Sequence, residues 1–259
     1  MNKLFTFLCS LWFWSELFLT SALLFPVAFI IWILTVPFDR NLRLLHLFSC
    51  LWSDLVLFLN PVWKVRVRGR EKIDRRKAYV IVSNHQSGAD ILVVFKLMVH
   101  FKWVSKWSLF WFPFIGWNMA MNRYIALKRG RKSSINRMVE HCIRAIRRGN
   151  SVMIFPEGTR SKDGLVQPFK TGAFRIAIET QAPVLPVVIS GTSKAVKKGG
   201  LQIHKNLGME LVVLDPIQPE QYAGEDQKSL AARTEEIIRS GLFSCTANPV
   251  QPGSTRPAG

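Results

Sequence analysis

The chain has 259 residues, a formal net charge of +18 and a sequence pI of about 10.3. This length is enough for one domain of substantial size with an appendage. The positive charge favours anionic partners, which are nucleic acids, anionic lipids or phosphorylated substrates. The sequence has neither zinc-ligand spacing nor the glycine-aromatic pattern of RNA-binding modules, so no nucleic-acid partner is expected. The long apolar N-terminus favours a membrane surface instead.

The cysteines are scattered along the chain and form no C-x-x-C pair; they are Cys9, Cys50, Cys142 and Cys245. We interpret them as reduced thiols of a chain that faces a reducing compartment. The spacing of these and other ligand-type residues predicts no metal cluster.

The first segment, from Leu4 to Phe38, is apolar and contains a single charged residue, Glu16. A bilayer span needs about 20 apolar residues, so this segment is long enough for one tilted span. Pro26 lies inside it, and a break there would instead give a re-entrant pair of half-helices. A cleaved signal peptide is a further alternative, although the apolar run is too long for one and no small-residue cleavage site follows it.

The next segment, from Leu42 to Leu59, has the pattern of an amphipathic helix, because polar residues recur at helical spacing among leucines and aromatics. We expect it to lie at the membrane interface or against the first segment. His46 is interpreted as a residue of its polar face.

Basic residues cluster directly after this helix, where Trp63 to Arg68 alternates valines with cations and predicts a half-buried strand. By the positive-inside tendency, the cluster places the following domain on the cytoplasmic side of a membrane. Its members are Lys64, Arg66, Arg68, Arg70, Lys72, Arg75, Arg76 and Lys77.

A short apolar run, Tyr79 to Val82, predicts a buried strand that enters a polar turn carrying His85, and Ile91 to Val99 predicts a helix after it. On one continuous helix, His85 and Asp90 would lie about 140° apart, so they meet only if the chain bends between them. Ser87-Gly88 supplies the bend. The pair then has the form of a general base oriented by a carboxylate. The alternative is that Asp90 belongs only to a capping box and His85 is a satisfied turn residue.

A second strand followed by a polar turn ends in Phe-Pro-Glu-Gly-Thr-Arg-Ser, from Phe155 to Ser161. Together with Asn84-His85 and Asp90, this stretch resembles the glycerophospholipid acyltransferase family, and within it the 1-acyl-sn-glycerol-3-phosphate acyltransferases. The resemblance covers residues 60–215 in ordered blocks, of which the second lies at 123–129 and the fourth at 182–189. In the second block, Arg123 stands for the family's usual glycine and Lys128 for its aspartate, so only Arg129 is carried over.

The resemblance implies transfer of an acyl group from acyl-coenzyme A or acyl-carrier protein to the sn-2 hydroxyl of 1-acyl-glycerol-3-phosphate, giving phosphatidate. His85 would remove the hydroxyl proton, and Asp90 would fix its tautomer. No cofactor and no metal are implied, since the thioester is a substrate. The implied partners are the lipid bilayer, a lysophospholipid acceptor and the thioester donor. The implied substrate-binding residues are Glu157, Gly158, Thr159, Arg160, Arg129 and Lys106.

Within this set, Arg160 suits a bidentate phosphate clamp, and Lys106 and Arg129 are secondary ligands of the phosphate or of the oxyanion. Glu157 would either bind the glycerol hydroxyl or hold Arg160. Ser83 and Ser87 would be nucleophiles only if direct attack did not occur. Two other functions stay open: an acyltransferase for a different lysophospholipid, and a non-catalytic membrane-binding protein.

Predicted strands and helices alternate along the rest of the chain. This alternation predicts an α/β domain with a mixed, largely parallel sheet flanked by helices. The aromatic-rich segment at 100–117 is interpreted as an acyl-chain groove or a membrane-facing surface, with a plain core as the alternative. Further predicted elements are helices at 134–148, 169–180 and 230–240 and strands at 123–129, 152–155, 182–189 and 210–214. We therefore divide the chain into N-terminal membrane-anchoring helices at 1–62, an acyltransferase domain at 63–245 and a disordered tail at 246–259.

Overall fold

The computed structural model describes residues 3–60, 63–161, 163–196, 200, 202–204 and 207–247. Two long helices, α1 (Lys3–Thr35) and α2 (Arg43–Leu59), precede a domain of alternating strands and helices. The strands are β1 (Trp63–Arg68), β2 (Val80–Ser83), β3 (Phe101–Lys106), β4 (Ile125–Leu127), β5 (Ser151–Ile154), β6 (Val184–Ser190) and β7 (Leu207–Val213). The other helices are α3 (Asp90–Phe95), α4 (Ile115–Met121), α5 (Lys132–Arg147), α6 (Gly172–Thr180) and α7 (Gln227–Ala247).

The strands form one 7-stranded sheet in the order β1-β7-β6-β2-β5-β3-β4. Its neighbouring strands are parallel except for β6 and β7, which are antiparallel. Strand β2 lies at the centre, between β5 and β6, and all of its residues are buried. The predicted mixed, largely parallel sheet flanked by helices is therefore confirmed.

Helices cover both faces of the sheet, which is why the central strands β5, β2 and β6 are buried along their whole length and mainly apolar. Side chains alternate between the two faces along each strand. Ile81 and its register partner Leu185 belong to the core that includes residues of α2 and α3. Val80 and its partner Val184 belong to the core that α5, α6 and α7 complete.

Several boundaries differ from the predicted ones. The helix expected to reach Val99 ends at Phe95, and the aromatic-rich segment then contributes β3, which the sequence pattern did not indicate. Lys102 interrupts the apolar pattern of β3, but its ammonium donates to the carbonyls of Asn41 and Asn122, 2.7 and 2.8 Å away. Helix α7 continues to Ala247, so positions 246 and 247 of the predicted tail are helical; the remainder of that tail lies outside the described residues.

Helix α1 is continuous through Pro26, so the break that would give two half-helices does not occur. It is the one helix in the described part of the chain that is long and apolar enough to cross a membrane, and only 11% of its most apolar window is buried. Its aromatic side chains pack against α4 and the turn before it: Phe25 lies 5.4 Å from Trp117 and 5.8 Å from Phe114, between ring centroids.

Helix α2 turns its polar face toward the domain. His46 is buried, with Nδ1 2.8 Å from the Tyr124 hydroxyl and Nε2 3.0 Å from the Val99 carbonyl oxygen. The interpretation of His46 as a simple polar-face residue was therefore incomplete, because the domain supplies partners for both ring nitrogens and so allows its burial. The opposite, apolar face is exposed at Leu44, Leu47, Leu51, Leu55 and Phe58.

Candidate active site

The predicted site residues follow strands that end at one edge of the sheet. His85 comes just after β2 and Glu157 just after β5, and these two strands are parallel neighbours. Lys106 ends β3 and pairs in register with Leu127, the last residue of β4 and two positions before Arg129. In open α/β sheets, ligands bind outside the carboxyl ends of the strands, which is where this edge lies.

His85 and Asp90 are in direct contact, because the chain bends between them as predicted. Nδ1 of His85 lies 2.8 Å from Oδ2 of Asp90. The same oxygen accepts hydrogen bonds from the backbone N–H groups of Gln86 and Ser87, at 2.6 and 2.8 Å. Since Nδ1–H donates to the carboxylate, Nε2 keeps its lone pair and can accept a proton from a ligand.

The capping interpretation of this turn is correct only in part. Asp90 does accept the N–H of Ser87, but the N-cap position of α3 is Ala89, which has no side-chain cap. The Ser87 hydroxyl accepts the N–H of Ala89 at 3.3 Å and also bonds to the backbone of Val196, accepting from N and donating to O at 3.1 Å each. The Ser83 hydroxyl donates to the carbonyl of Asn84. Both hydroxyls are buried and engaged, so neither is placed as a nucleophile.

The backbone and the ring of His85 are held from the β5 side as well. Its N–H donates to Oε1 of Glu157 at 2.9 Å, and its carbonyl accepts the N–H of Ser161 at 2.8 Å. Its ring stacks on Phe155, with centroids 4.0 Å apart and planes 9° from parallel. Sequence reasoning did not single out Phe155; its position directly before Pro156-Glu157, at the end of a strand beside β2, was the available signal.

Asn84, the residue before His85, joins the turn to β6. Its Nδ2 donates to the carbonyl of Ile189 at 2.8 Å, and its Oδ1 accepts the Ile189 N–H at 2.9 Å. This paired amide contact fixes the start of the turn to the neighbouring strand. Sequence reasoning noted Asn84 only as part of a motif.

Glu157 is buried, and burial raises its pKa to about 8, although hydrogen bonds from the backbone N–H groups of His85 and Gln167 act in the opposite direction. Its Oε2 has no hydrogen-bond partner within the described residues. Glu157 also forms no ion pair with Arg160 in that part of the chain, so the second of its two expected roles is not observed. A carboxyl group that is protonated near neutral pH can donate a hydrogen bond from this free oxygen.

Cationic side chains lie at the His85 turn and at the turn after β5. Nη1 of Arg160 lies 3.5 Å from the position that a Cβ on Gly88 would occupy, so its guanidinium reaches the His85 turn. Partial desolvation by its neighbours and the nearby Arg160 cation lower the pKa of Arg129, although the residue as a whole is exposed to solvent. On the other side, Nζ of Lys170 would lie 2.5 Å from a Cβ on Gly158, whose φ of +73° also favours glycine.

Within the described ranges, no acidic side chain forms an ion pair with any of these cations or with Lys106. Lys106 and Arg129 are exposed, whereas Thr159 and Arg160 are half-buried. Like charges brought together without a carboxylate favour an anionic ligand such as a phosphate group. The same part of the chain contains no group of three or more His, Cys, Asp or Glu residues that could hold a metal ion.

Comparison with known proteins adds to this geometry. The family model described as Acyltransferase matches residues 64–190, which include every candidate site residue. A chloroplastic 1-acyl-sn-glycerol-3-phosphate acyltransferase of Brassica napus is 38% identical over 182 residues, covering 70% of this chain and 52% of that protein. The chain thus spans about half the length of that relative. A 1-acyl-sn-glycerol-3-phosphate acyltransferase of Chlamydomonas reinhardtii is 33% identical over 243 residues, covering 93% of this chain and 71% of that protein.

A solved structure gives the corresponding likeness in three dimensions. The crystal structure of the 1-acyl-sn-glycerophosphate acyltransferase from Thermotoga maritima matches 97% of this chain and 100% of its own, with a TM-score of 0.80 and 24% identity. At that identity, the match shows a shared fold. Taken with the sequence relatives, it leads to one assignment: the chain belongs to the acyltransferase family that contains these 1-acyl-sn-glycerol-3-phosphate acyltransferases.

Proposed function

We propose that the protein transfers a fatty acyl group from a thioester to the sn-2 hydroxyl of 1-acyl-glycerol-3-phosphate and so forms phosphatidate. The observation that carries this proposal is the His85–Asp90 pair with Arg160 beside its turn, where Arg160 and the other candidate cations form no ion pair within the described part of the chain. A phosphorylated alcohol that attacks a thioester needs a base for its hydroxyl and positive charge for its phosphate. The relatives named as 1-acyl-sn-glycerol-3-phosphate acyltransferases support the same substrate class.

The proposed reaction is a direct attack. Nε2 of His85 accepts the hydroxyl proton as the acceptor oxygen bonds to the thioester carbon, and Asp90 stabilises the resulting imidazolium. When the tetrahedral intermediate collapses, the carbon–sulfur bond breaks and the thiolate takes the proton from His85. The products are an ester and a free thiol, so atoms and charges balance. No acyl-enzyme is needed, which agrees with the engaged hydroxyls of Ser83 and Ser87.

The acceptor phosphate would bind among the cations. We assign the bidentate contact to Arg160, with Arg129 and Lys106 as secondary ligands. Gly158 allows the ligand to approach the backbone, and Thr159 belongs to the same turn. The free oxygen of Glu157 would bind a glycerol hydroxyl, while its other oxygen holds the backbone of His85. Glu157 would thereby position the base and the acceptor relative to each other.

Membrane association accompanies this function. The exposed leucines of α2, the exposed side of α1 and the aromatic residues Trp111, Phe112 and Trp117 supply a large apolar area on the protein surface. Such an area marks a membrane or protein contact, and the acceptor is itself a membrane lipid. We infer that helices 1–62 anchor the domain at 63–245 to a bilayer. The basic cluster at 64–77 supports a cytoplasmic position for that domain.

The test is an acceptor panel with purified protein and two donors, acyl-coenzyme A and acyl-carrier protein. Release of free thiol and formation of the diacyl product are both measured. We expect lysophosphatidate to be the best acceptor, ahead of lysophosphatidylcholine and lysophosphatidylethanolamine. A higher kcat/KM for a choline or ethanolamine acceptor would indicate the other lysophospholipid function. If no free thiol is released with any of the acceptors, the result would indicate a non-catalytic membrane-binding protein.

A further inference from the structure

The phenyl ring of Phe155 covers one face of the His85 imidazole, with 4.0 Å between centroids and 9° between planes. We propose that Phe155 is a positioning residue, which fixes the plane of the imidazole and stabilises the imidazolium that forms when His85 accepts the acceptor's proton. This inference rests on the proposed function, because it assumes that His85 acts as the base.

The ring contact restricts the orientation of the His85 imidazole. The hydrogen bond from Nδ1 to Asp90 holds one edge of the ring but leaves the ring free to tilt about that bond. A parallel ring contact removes this tilt, so Nε2 points in one direction before the acceptor binds. Preset direction matters because proton transfer and attack both require near-attack geometry.

Phe155 can fix the ring only if it is itself held. It follows β5 directly, and its backbone carbonyl accepts the N–H of Gly158 at 3.0 Å. Behind it lies Trp103, a buried residue of β3, with 5.7 Å between the two ring centroids. Ring contacts therefore continue from the imidazole through Phe155 to Trp103, with 35° between the planes of the last two rings, and Trp103 supports Phe155 from the core.

The Phe155 ring also acts electrostatically on the His85 imidazole. The face of an aromatic ring carries partial negative charge and attracts a cation placed over it. The titratable groups near His85 in the described part of the chain are Asp90 from α3, Glu157 from the turn after β5, and Arg160, which reaches Gly88. Asp90 favours the protonated imidazole and Arg160 opposes it. The Phe155 face adds to the favourable side at the step where the positive charge develops.

The substitution Phe155→Leu separates the contribution of the aromatic face from that of apolar burial. Leucine keeps an apolar contact at this position but has no aromatic face. We expect Phe155→Leu to lower kcat/KM by about fivefold to thirtyfold. The midpoint of the acid limb of its pH profile should move to lower pH, since protonated His85 loses a stabilising contact. Phe155→Tyr retains the face and should keep both values near those of the wild type.

The matched control is Phe101→Leu. Phe101 is a buried phenylalanine of β3 that contacts Trp103 but not His85. The Phe101→Leu substitution should lower the melting temperature without moving the acid limb of the pH profile. Phe155→Met provides the same comparison with a more adaptable side chain if Phe155→Leu does not fold.

Two results separate the possible failures. If Phe155→Leu and Phe155→Met keep the wild-type acid limb and lose no more activity per folded molecule than Phe101→Leu, the stacking role is refuted. If His85→Ala retains more than half of the wild-type activity, the proposed base is wrong and the proposed function's mechanism fails first. An inactive His85→Ala together with unchanged Phe155 variants would refute only the inference about the stack.

Discussion

Oδ2 of Asp90 lies 2.8 Å from Nδ1 of His85, five positions earlier, and the same oxygen accepts the backbone N–H groups of Gln86 and Ser87. One carboxylate oxygen therefore both closes the turn and orients the imidazole. Asp90 is fully buried, so its loss would leave these buried donors without a partner. Substituting Asp90 should therefore disturb both the turn and the reaction, whereas substituting His85 should affect mainly the reaction.

His85→Ala should lower kcat by about 10²–10⁴-fold, because general-base removal has that effect when the reaction needs a proton to leave. Asp90→Asn should also be severe, since the amide favours the wrong tautomer at similar size. The double variant should be little worse than His85→Ala, because both changes act through one imidazole. Turnover of the purified variants tests this. His141, an exposed histidine of α5, provides the control His141→Ala. A folded His85→Ala protein with more than half of the wild-type activity would contradict the mechanism.

Arg160→Lys should keep the charge and lose the bidentate geometry, so kcat/KM for lysophosphatidate should fall by about 10- to 100-fold. Acceptors without a phosphate monoester should be affected less. Steady-state kinetics with both acceptor types provides the measurement. Arg175→Lys, on an exposed arginine that pairs with Glu179 in α6, is the control for the loss of a guanidinium. Unchanged kinetics with lysophosphatidate would remove Arg160 from the phosphate site.

Glu157→Gln should change how stability depends on pH. Burial raises the folded-state pKa of Glu157 from 4.5 to about 8, so between these values the folded protein binds a proton that the unfolded chain has released. This group's contribution to the free energy of unfolding therefore falls as pH rises, by at most about 1.4 kcal/mol per pH unit. Glutamine does not titrate.

The melting temperature of Glu157→Gln relative to wild type should accordingly increase from pH 5 to pH 8. Thermal denaturation in detergent at several pH values measures this difference. Glu71→Gln, which removes an exposed carboxyl group, should give a difference that does not follow this trend. A constant difference for Glu157→Gln across the range would show that Glu157 is ionised in the folded protein throughout.

The membrane prediction concerns the exposed face of α2. The wild-type protein should stay with membranes after washing in high salt, because apolar burial is not screened by ions. The double substitution Leu51→Gln and Phe58→Gln should increase the fraction released, as measured by sedimentation. Leu165→Gln with Phe243→Gln makes the same exchange at exposed positions outside α1 and α2 and should have no effect. Release of most of the wild-type protein by salt alone would show that the basic residues are the main anchor.

The amino-acid sequence by itself determined the class of the fold and the position of the candidate turns. Short apolar runs that end in polar turns indicated β2 and β5, and the Ser87-Gly88 bend indicated that His85 and Asp90 meet. These features are local, because side-chain periodicity and turn chemistry act within a few residues. The roles of Glu157, Arg160, Arg129 and Lys106 remain predictions, although all of them lie at or shortly after the ends of strands at one edge of the sheet.

Only the tertiary structure decided which surfaces these elements present to each other. The polar face of α2 enters the domain because His46 meets Tyr124 and Val99, which are 78 and 53 positions away. Phe155 stacks on His85 because β5 pairs with β2, and Glu157 holds the His85 N–H across a separation of 72 positions. Such contacts depend on strand order and on the free energy of packing distant segments together, and neither is encoded in the periodicity of a single stretch.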